Sequence, residues 1–175
     1  MEWLLLAVAV LVTFAVLLSW TAGRVDRLHH RVNGARAGLE AELMHRSGAT
    51  LELAATGLLD PARSLLLLDA AHLARASDEA DREVAESNLS RALVASLDDA
   101  TEVARLQGHP DAEELLAELG NACRKVELAR RFHNDVVASA LALRRNRAVR
   151  WFGLAGRADL PAMVELDDSW PRALP

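Results

Sequence analysis

The first stretch of the chain is an uncharged apolar run of eighteen residues, from Trp3 to Trp20. At 1.5 Å per helical residue the run spans about 27 Å. That length is close to the roughly 30 Å of hydrocarbon in a bilayer, and tryptophan at each end suits the membrane interface. The pattern predicts a transmembrane anchor over residues 1–22.

Basic residues follow this run but do not precede it. No Lys or Arg lies before Trp3, whereas four arginines lie within about 16 residues after Trp20, on the side that the positive-inside rule keeps in the cytoplasm: Arg24, Arg27, Arg31 and Arg36. We therefore expect a single-pass protein of the plasma membrane with its N-terminus outside and its domain in the cytoplasm. The alternative is a cleaved signal peptide, which would need a basic stretch where only Glu2 stands.

Beyond the anchor, apolar residues recur at spacings of three and four, which is typical of one buried helix face. The stripe contains Val25, Leu28, Val32, Ala35, Leu39 and Leu43, followed in the same register by Arg46. It predicts that the first helix continues from Thr21 to about Thr56 and stops at Gly57.

Turn and cap signals divide the rest of the chain into three more helices. Asp60-Pro61 is a start signal, because Asp caps free amides and Pro is tolerated at the first helical position. We expect helices at Pro61 to about Ala76, at Glu79 to about Leu106, and at Pro110 to about Arg147. The last begins at a Gly-His-Pro turn, where Pro disfavours helix in the residue before it.

No stretch alternates with period two for long enough to form a strand, so the predicted fold class is all-α. Short connections favour an antiparallel up-down-up-down four-helix bundle over residues 23–150, with a seam like that of a coiled coil. A non-helical tail, residues 151–175, follows it.

This topology would bring two groups of basic residues together at the cytoplasmic membrane surface. The predicted membrane-interface residues are Trp3, Trp20, Arg24, Arg27, Arg31, Arg144, Arg145, Arg147, Arg150, Trp151 and Phe152. Each basic residue near an anionic leaflet contributes roughly 1 kcal/mol of binding. The alternative is that the second group is a solvated helix end, placed by the helix dipole.

The amino-acid composition argues against some kinds of partner and site. The 25 acidic and 20 basic residues give a net charge of -5, which speaks against a nucleic-acid partner. Cys123 is the single cysteine, so an internal disulfide and a thiolate metal cluster are both excluded.

Two motifs suggest an enzyme, and both are incomplete. Arg82 to Glu86 is similar to the centre of the Nudix box, but Ser87 and Leu89 stand where that box continues with Glu and Gly, and the box needs an α/β scaffold. The pairs Glu42/His45 and Asp69/His72 have the spacing of di-iron ligands. His45, however, points roughly 120° away from the apolar stripe, so that pair cannot face one buried metal site. We expect no catalytic, metal or cofactor residues, and we expect His133 to be a hydrogen-bonded core group.

Three segments resemble the LemA family: RVNGARAGLEAELMHR from Arg31, AESNLSRAL from Ala85 and ARRFHNDVV from Ala129. The matching positions are Arg31, Val32, Ala35, Leu39, Leu43, Asn88, Leu89, Ala129, Arg130, Phe132, Asn134 and Asp135. Arg36 departs from the Trp that the family usually carries, and His133 departs from its Tyr. The resemblance implies a membrane anchor, a cytoplasmic antiparallel helical bundle and no established catalytic activity.

These observations predict a non-enzymatic, membrane-anchored scaffold that docks an unknown protein partner and can form homo-oligomers. The exposed tail from Asp159 to Trp170 and the polar helix faces are the expected docking surfaces. Two alternatives stay open. One is a hydrolase acting on nucleoside diphosphates, and the other is a lipid-sensing module at the inner leaflet.

Overall fold

A computed structural model describes residues 1–145 and 160–175, leaving out the side chains of Leu18, Thr21, Ala22 and Val25. Within this part the chain contains five helices and no strand: α1 (Glu2–Ala55), α2 (Pro61–Ala76), α3 (Arg82–Leu97), α4 (Ala100–Gln107) and α5 (Pro110–Arg144). The chain divides into two compact units. Unit 1 is Met1–Arg36 with Phe132–Met163, and unit 2 is Ala37–Arg131 with Val164–Pro175.

Local signals placed the ends of α1 and α2 correctly. Gly57 has a φ of 74°, in the left-handed region that disfavours side chains, and it follows the end of α1 as predicted. The Asp60 carboxylate accepts hydrogen bonds from the amides of Ala62 (3.0 Å) and Arg63 (3.2 Å), which caps α2.

The predicted helix from Glu79 to Leu106 is wrong, because the structure divides it into α3 and α4. Asp99 accepts a hydrogen bond from the Thr101 amide at 2.9 Å and thereby caps a new helix. Apolar residues at helical spacing continue from α3 into α4, so this spacing gave no sign of the break. The described residues thus form five helices in place of the expected four.

The predicted membrane anchor is also corrected. A membrane-spanning helix needs about 20 apolar residues. Among the residues whose placement is described, no helix is both long enough and apolar enough to cross a membrane.

This finding overturns four linked predictions: the transmembrane helix, the single-pass topology, the plasma-membrane location and the membrane as an integral partner. The predicted role of these tryptophans and arginines at the membrane interface depended on that anchor, so we do not propose it again. Trp3 and Trp20 are exposed on α1, as are Arg24, Arg27 and Arg31.

In unit 1, α1 packs against α5 through a small apolar cluster. Its buried members are Val32, Ala35, Val136, Val137 and Ala140. Arg144 lines a small pocket with Leu28 and His29, so the end of α5 lies beside this part of α1. Arg147, Arg150, Trp151 and Phe152 lie outside the described residues.

His133 is buried in unit 1, in agreement with the prediction that it is a core residue. Its Nε2 lies 3.3 Å from the carbonyl oxygen of Ala162, whereas its Nδ1 has no hydrogen-bond partner within residues 1–145 and 160–175.

Unit 2 holds the main core, formed by leucines and alanines. Members from its helices include Leu53, Leu67, Leu93, Leu97, Leu106, Leu116 and Leu119. Small residues such as Ala71 on α2 and Ala92 on α3 lie between these leucines. The pairing of large and small residues lets the helices pack closely.

A charged network is buried beside this core. Arg46 of α1 is fully buried, and one of its terminal nitrogens donates to the Glu86 carboxylate at 2.7 Å. The other donates to the Ser90 hydroxyl at 2.9 Å. Because burial of a single charge is costly, Arg46 and Glu86 depend on each other and fix α1 against α3.

Removing one partner of this pair should therefore cost more than removing both. We expect Glu86→Ala to lower the free energy of unfolding by about 3–5 kcal/mol, because it leaves the Arg46 charge buried and unpaired. The double variant Arg46→Met/Glu86→Leu should recover most of that loss. Urea unfolding followed by circular dichroism measures all three proteins.

The matched control is the exposed ion pair between Arg131 and Glu127. Arg131→Ala should cost less than about 1 kcal/mol, since exposed pairs contribute little. A double variant no more stable than Glu86→Ala would contradict the mutual dependence of Arg46 and Glu86.

Candidate docking surface

Residues 164–175 have neither helix nor strand, yet they lie against unit 2 and do not project from it. The side chains of Leu166, Pro171 and Leu174 are buried, and Trp170 is partly buried. Within the predicted exposed tail from Asp159 to Trp170, Glu165, Asp167 and Ser169 are exposed, whereas Leu166 is buried. Asp159 itself lies outside the described residues.

Two main-chain amides attach the segment to α3. The Asp167 amide donates to the Ser87 hydroxyl at 3.0 Å, and the Arg172 amide donates to the Asp98 carboxylate at 2.9 Å. The two contacts follow the same order along the segment and along the chain from Ser87 to Asp98, so the segment runs parallel to α3.

Side chains attach the same segment to α5. Arg130 forms an ion pair with Asp168 at 2.8 Å, and the Trp170 indole donates to Glu127 at 3.4 Å. The Arg124 guanidinium lies over the Trp170 ring, 5.3 Å from its centroid, at cation–π distance. Asp168 contacts Arg130, and the later residue Trp170 contacts Glu127 and Arg124, which come earlier in α5. The segment therefore runs antiparallel to α5.

At its far end the segment approaches the backbone of α5. A Cβ atom added to Gly120 would lie 2.6 Å from the backbone oxygen of Pro175, so only glycine leaves room there. Arg124 donates a hydrogen bond to the same oxygen. Leu174 is buried in the unit 2 core, in the same cluster as Cys123.

We define the docking surface by the residues of α3 and α5 that contact segment 164–175: Ser87, Asp98, Gly120, Arg124, Glu127 and Arg130. Leu166 adds an apolar anchor beside it, packed in a cluster with Leu39, Leu43 and Val126.

Segment 164–175 carries three acidic residues, Glu165, Asp167 and Asp168, and one basic residue, Arg172. Hydrogen bonds from the hydroxyl and the main-chain amide of Ser169 lower the pKa of Asp167, and the guanidinium groups of Arg91 and Arg46 act in the same direction. Asp168 pairs with Arg130. On the docking surface Asp98 and Glu127 balance Arg124 and Arg130, so charge complementarity is limited to the Arg130–Asp168 pair.

The residues of the LemA-like segments differ in how far the structure buries them. Val32, Ala35, Leu39, Leu43 and Leu89 are buried, and Ala129 is half-buried. Arg31, Asn88, Phe132 and Asp135 are exposed, and Asn134 is half-buried. Among these residues, Arg130 forms an ion pair with Asp168, and Leu39, Leu43 and Ala129 pack in the same cluster as Leu166.

The residues considered for catalysis do not converge. The Glu86 carboxylate is occupied by Arg46, and His45 lies 3.2 Å from Glu118 and 3.8 Å from Glu42. Asp69 and His72 are exposed. In the part of the chain that the structure covers, no group of three or more His, Cys, Asp or Glu residues is placed to hold a metal ion.

No protein-family model, no curated protein and no solved structure matches this chain. The resemblance to LemA proteins therefore stays a prediction.

Sequence reasoning missed the docking surface because its contacts join positions far apart in the chain. One signal was present. Leu166, Trp170, Pro171 and Leu174 give the tail more apolar anchors than a solvated segment needs. Arg46 carried a second signal, since a charge within an apolar stripe requires a buried partner.

Gly120→Ala should release the end of the segment without harming α5. Alanine is about 1 kcal/mol more favourable than glycine within a helix. Its Cβ, however, would lie 2.6 Å from the Pro175 oxygen. We expect faster hydrogen exchange at the amides of Arg172 and Leu174, measured by NMR. Gly48→Ala is the matched control, because its Cβ would meet only the Arg75 side chain at 3.9 Å. Equal exchange in both variants would mean that Gly120 does not shape the surface.

Alkaline pH should destabilise the fold through Cys123. Burial raises the pKa of this thiol to about 11 from 9.0, although Arg46 and Arg124 favour the thiolate. The thiol ionises at a lower pH in the unfolded chain than in the folded chain. The stability that the buried neutral thiol contributes is therefore complete below pH 9 and is lost as the pH rises through 11. Relative to Cys123→Ser, the chain should lose about 1 kcal/mol of unfolding free energy per pH unit in that window. Parallel urea titrations of the two proteins test this, and identical pH profiles would contradict it.

Proposed function

We propose that this chain is a non-enzymatic helical module that binds an extended peptide segment on its docking surface. One observation carries the proposal: segment 164–175, which forms neither helix nor strand, is held against α3 and α5 by main-chain and side-chain contacts together. Main-chain contacts provide affinity for an extended backbone, and side-chain contacts provide selectivity.

The helical framework supports this role. The buried pair of Arg46 and Glu86 fixes α1 against α3, and Ser87, which receives the segment, is next to Glu86 in the chain. A contact surface on rigid helices is held more precisely than one on loops. Glu86, the acidic residue that ends the Nudix-like motif, is used for this structural pair, which disfavours the hydrolase alternative.

Cleaving the chain between Met163 and Val164 tests the proposal directly. Met163 is exposed, so a protease recognition sequence can be inserted at this point. Within an intact chain the segment binds at an effective concentration near the millimolar range, and cleavage removes that advantage. We expect the cleaved segment to co-elute with the helices and to be displaced by an excess of the free peptide VELDDSWPRALP.

The control is the same cleavable chain carrying Arg130→Glu, from which the segment should dissociate faster. Immediate loss of the segment from the cleaved parental chain, with no rebinding of the free peptide, would contradict a peptide-binding function.

A further inference from the structure

The N-terminal part of α1 carries an exposed apolar seam. Its members recur at spacings of three and four and so lie on one face of the helix. We call these residues the N-terminal seam: Trp3, Leu6, Val10, Thr13, Leu17 and Trp20. Trp3 is 85% exposed and Trp20 is 63% exposed, and the other four side chains are exposed as well. A monomer rarely exposes so large an apolar patch, and such patches mark interaction sites.

We infer that a second copy of this chain covers the N-terminal seam, with the two α1 helices antiparallel. The spacing along the seam is three, four, three, four, three, so it reads the same in both directions. When two copies align antiparallel, Trp3 lies beside Trp20 of the second copy, and Leu6 lies beside Leu17 of the second copy. Both copies then use the same residues, as a two-fold interface requires.

Charge selects the antiparallel arrangement over the parallel one. Beyond Trp20 the spacing of the seam continues with three exposed arginines, Arg24, Arg27 and Arg31. A parallel pair would place each of them beside its own counterpart, and like charges so placed oppose association. In the antiparallel pair these arginines lie beyond the apolar run of the second copy. Arg24 and Glu2 of the second copy are then about 4.5 Å apart along the helix axis, so opposite charges meet at each end.

The one polar member of the seam does not oppose its burial. The Thr13 hydroxyl donates a hydrogen bond to the carbonyl oxygen of Ala9 at 2.8 Å. Because this donor is satisfied within its own helix, Thr13 can enter an apolar interface without losing a hydrogen bond. A shallow apolar groove follows the same face and is lined by Leu6, Ala9, Val10, Thr13, Phe14 and Leu17. The small side chains of Ala9 and Thr13 leave room in this groove for a side chain of the second copy.

The exposed area is sufficient for a stable pair. A fully covered tryptophan buries about 150–250 Å², so the four seam tryptophans of two copies bury about 600–1,000 Å². Leu6, Val10 and Leu17 of both copies add to this area. The sum reaches the roughly 1,200–2,000 Å² that specific interfaces bury.

Sedimentation equilibrium of the full chain at micromolar concentration tests the pairing. We expect a dimer, and we expect Val10→Glu to weaken its dissociation constant at least about tenfold, because it places a charge within the seam. The matched control is Val12→Glu, an equally exposed position that lies off the seam and should leave the dimer intact. Circular dichroism confirms that both variants keep their helices.

Cysteine cross-linking under mild oxidation tests the direction of the pairing. A chain with Leu6→Cys, mixed with a chain with Leu17→Cys, should form a disulfide-linked heterodimer, identified by its mass. Each variant alone should cross-link little, since the two new thiols of an antiparallel pair then lie at opposite ends of the seam. The native Cys123 is buried.

Four results would overturn the inference. A monomeric full chain would show that no second copy covers the seam, as would flotation of the chain with phospholipid vesicles in place of dimer formation. Equal dissociation by Val10→Glu and Val12→Glu would show association without a defined seam. Efficient cross-linking of each single variant with itself would show a parallel pair.

Discussion

The fold of unit 2 depends on one buried charge. Arg46 lies within the apolar stripe of α1, where Ser90 and Glu86 of α3 accept hydrogen bonds from its two terminal nitrogens, whereas its Nε has no hydrogen-bond partner among the described residues. These two partners are one helical turn apart, so they fix the rotation of α3 as well as its distance from α1. An apolar pair could hold the helices together, but it would constrain their register less.

The docking surface follows from that register. With Glu86 facing α1, the neighbouring Ser87 is turned by about 100° and receives the amide of Asp167. Asp98 at the end of α3 receives the second amide, and the next residue, Asp99, caps α4. The break between α3 and α4 thus consists of two aspartates, of which Asp98 binds the segment and Asp99 caps the following helix.

Local signals in the sequence predicted much of the helical framework. Gly57, Asp60 and Pro110 act through their own backbone or cap geometry, so the end of α1 and the starts of α2 and α5 could be predicted without knowledge of the fold. The break at Asp99 could not, because an aspartate within an apolar stripe is compatible with both a continuous helix and a new cap. The anchor was predicted from length and hydropathy alone, and no described helix meets the requirements for crossing a membrane.

The candidate site was harder to predict because it depends on tertiary contacts. Arg130 was singled out by a family resemblance that stays untested, and nothing in the sequence joined it to Asp168. The packing of Leu166 and Leu174 against the helices, and the space left by Gly120, also depend on residues distant in the chain. Such pairings follow from the fold and have no local sequence signature.

The central claim is that specific contacts hold segment 164–175 on the docking surface. A double-mutant cycle between Arg130→Ala and Asp168→Ala tests it most directly, with hydrogen exchange at the Asp167 amide as the measure of segment opening. We expect a coupling free energy of about 1 kcal/mol, because both charges are partly shielded from solvent and bonded to each other at 2.8 Å. Strictly additive effects of the two substitutions, or an Asp167 amide that exchanges freely in the unaltered chain, would contradict it.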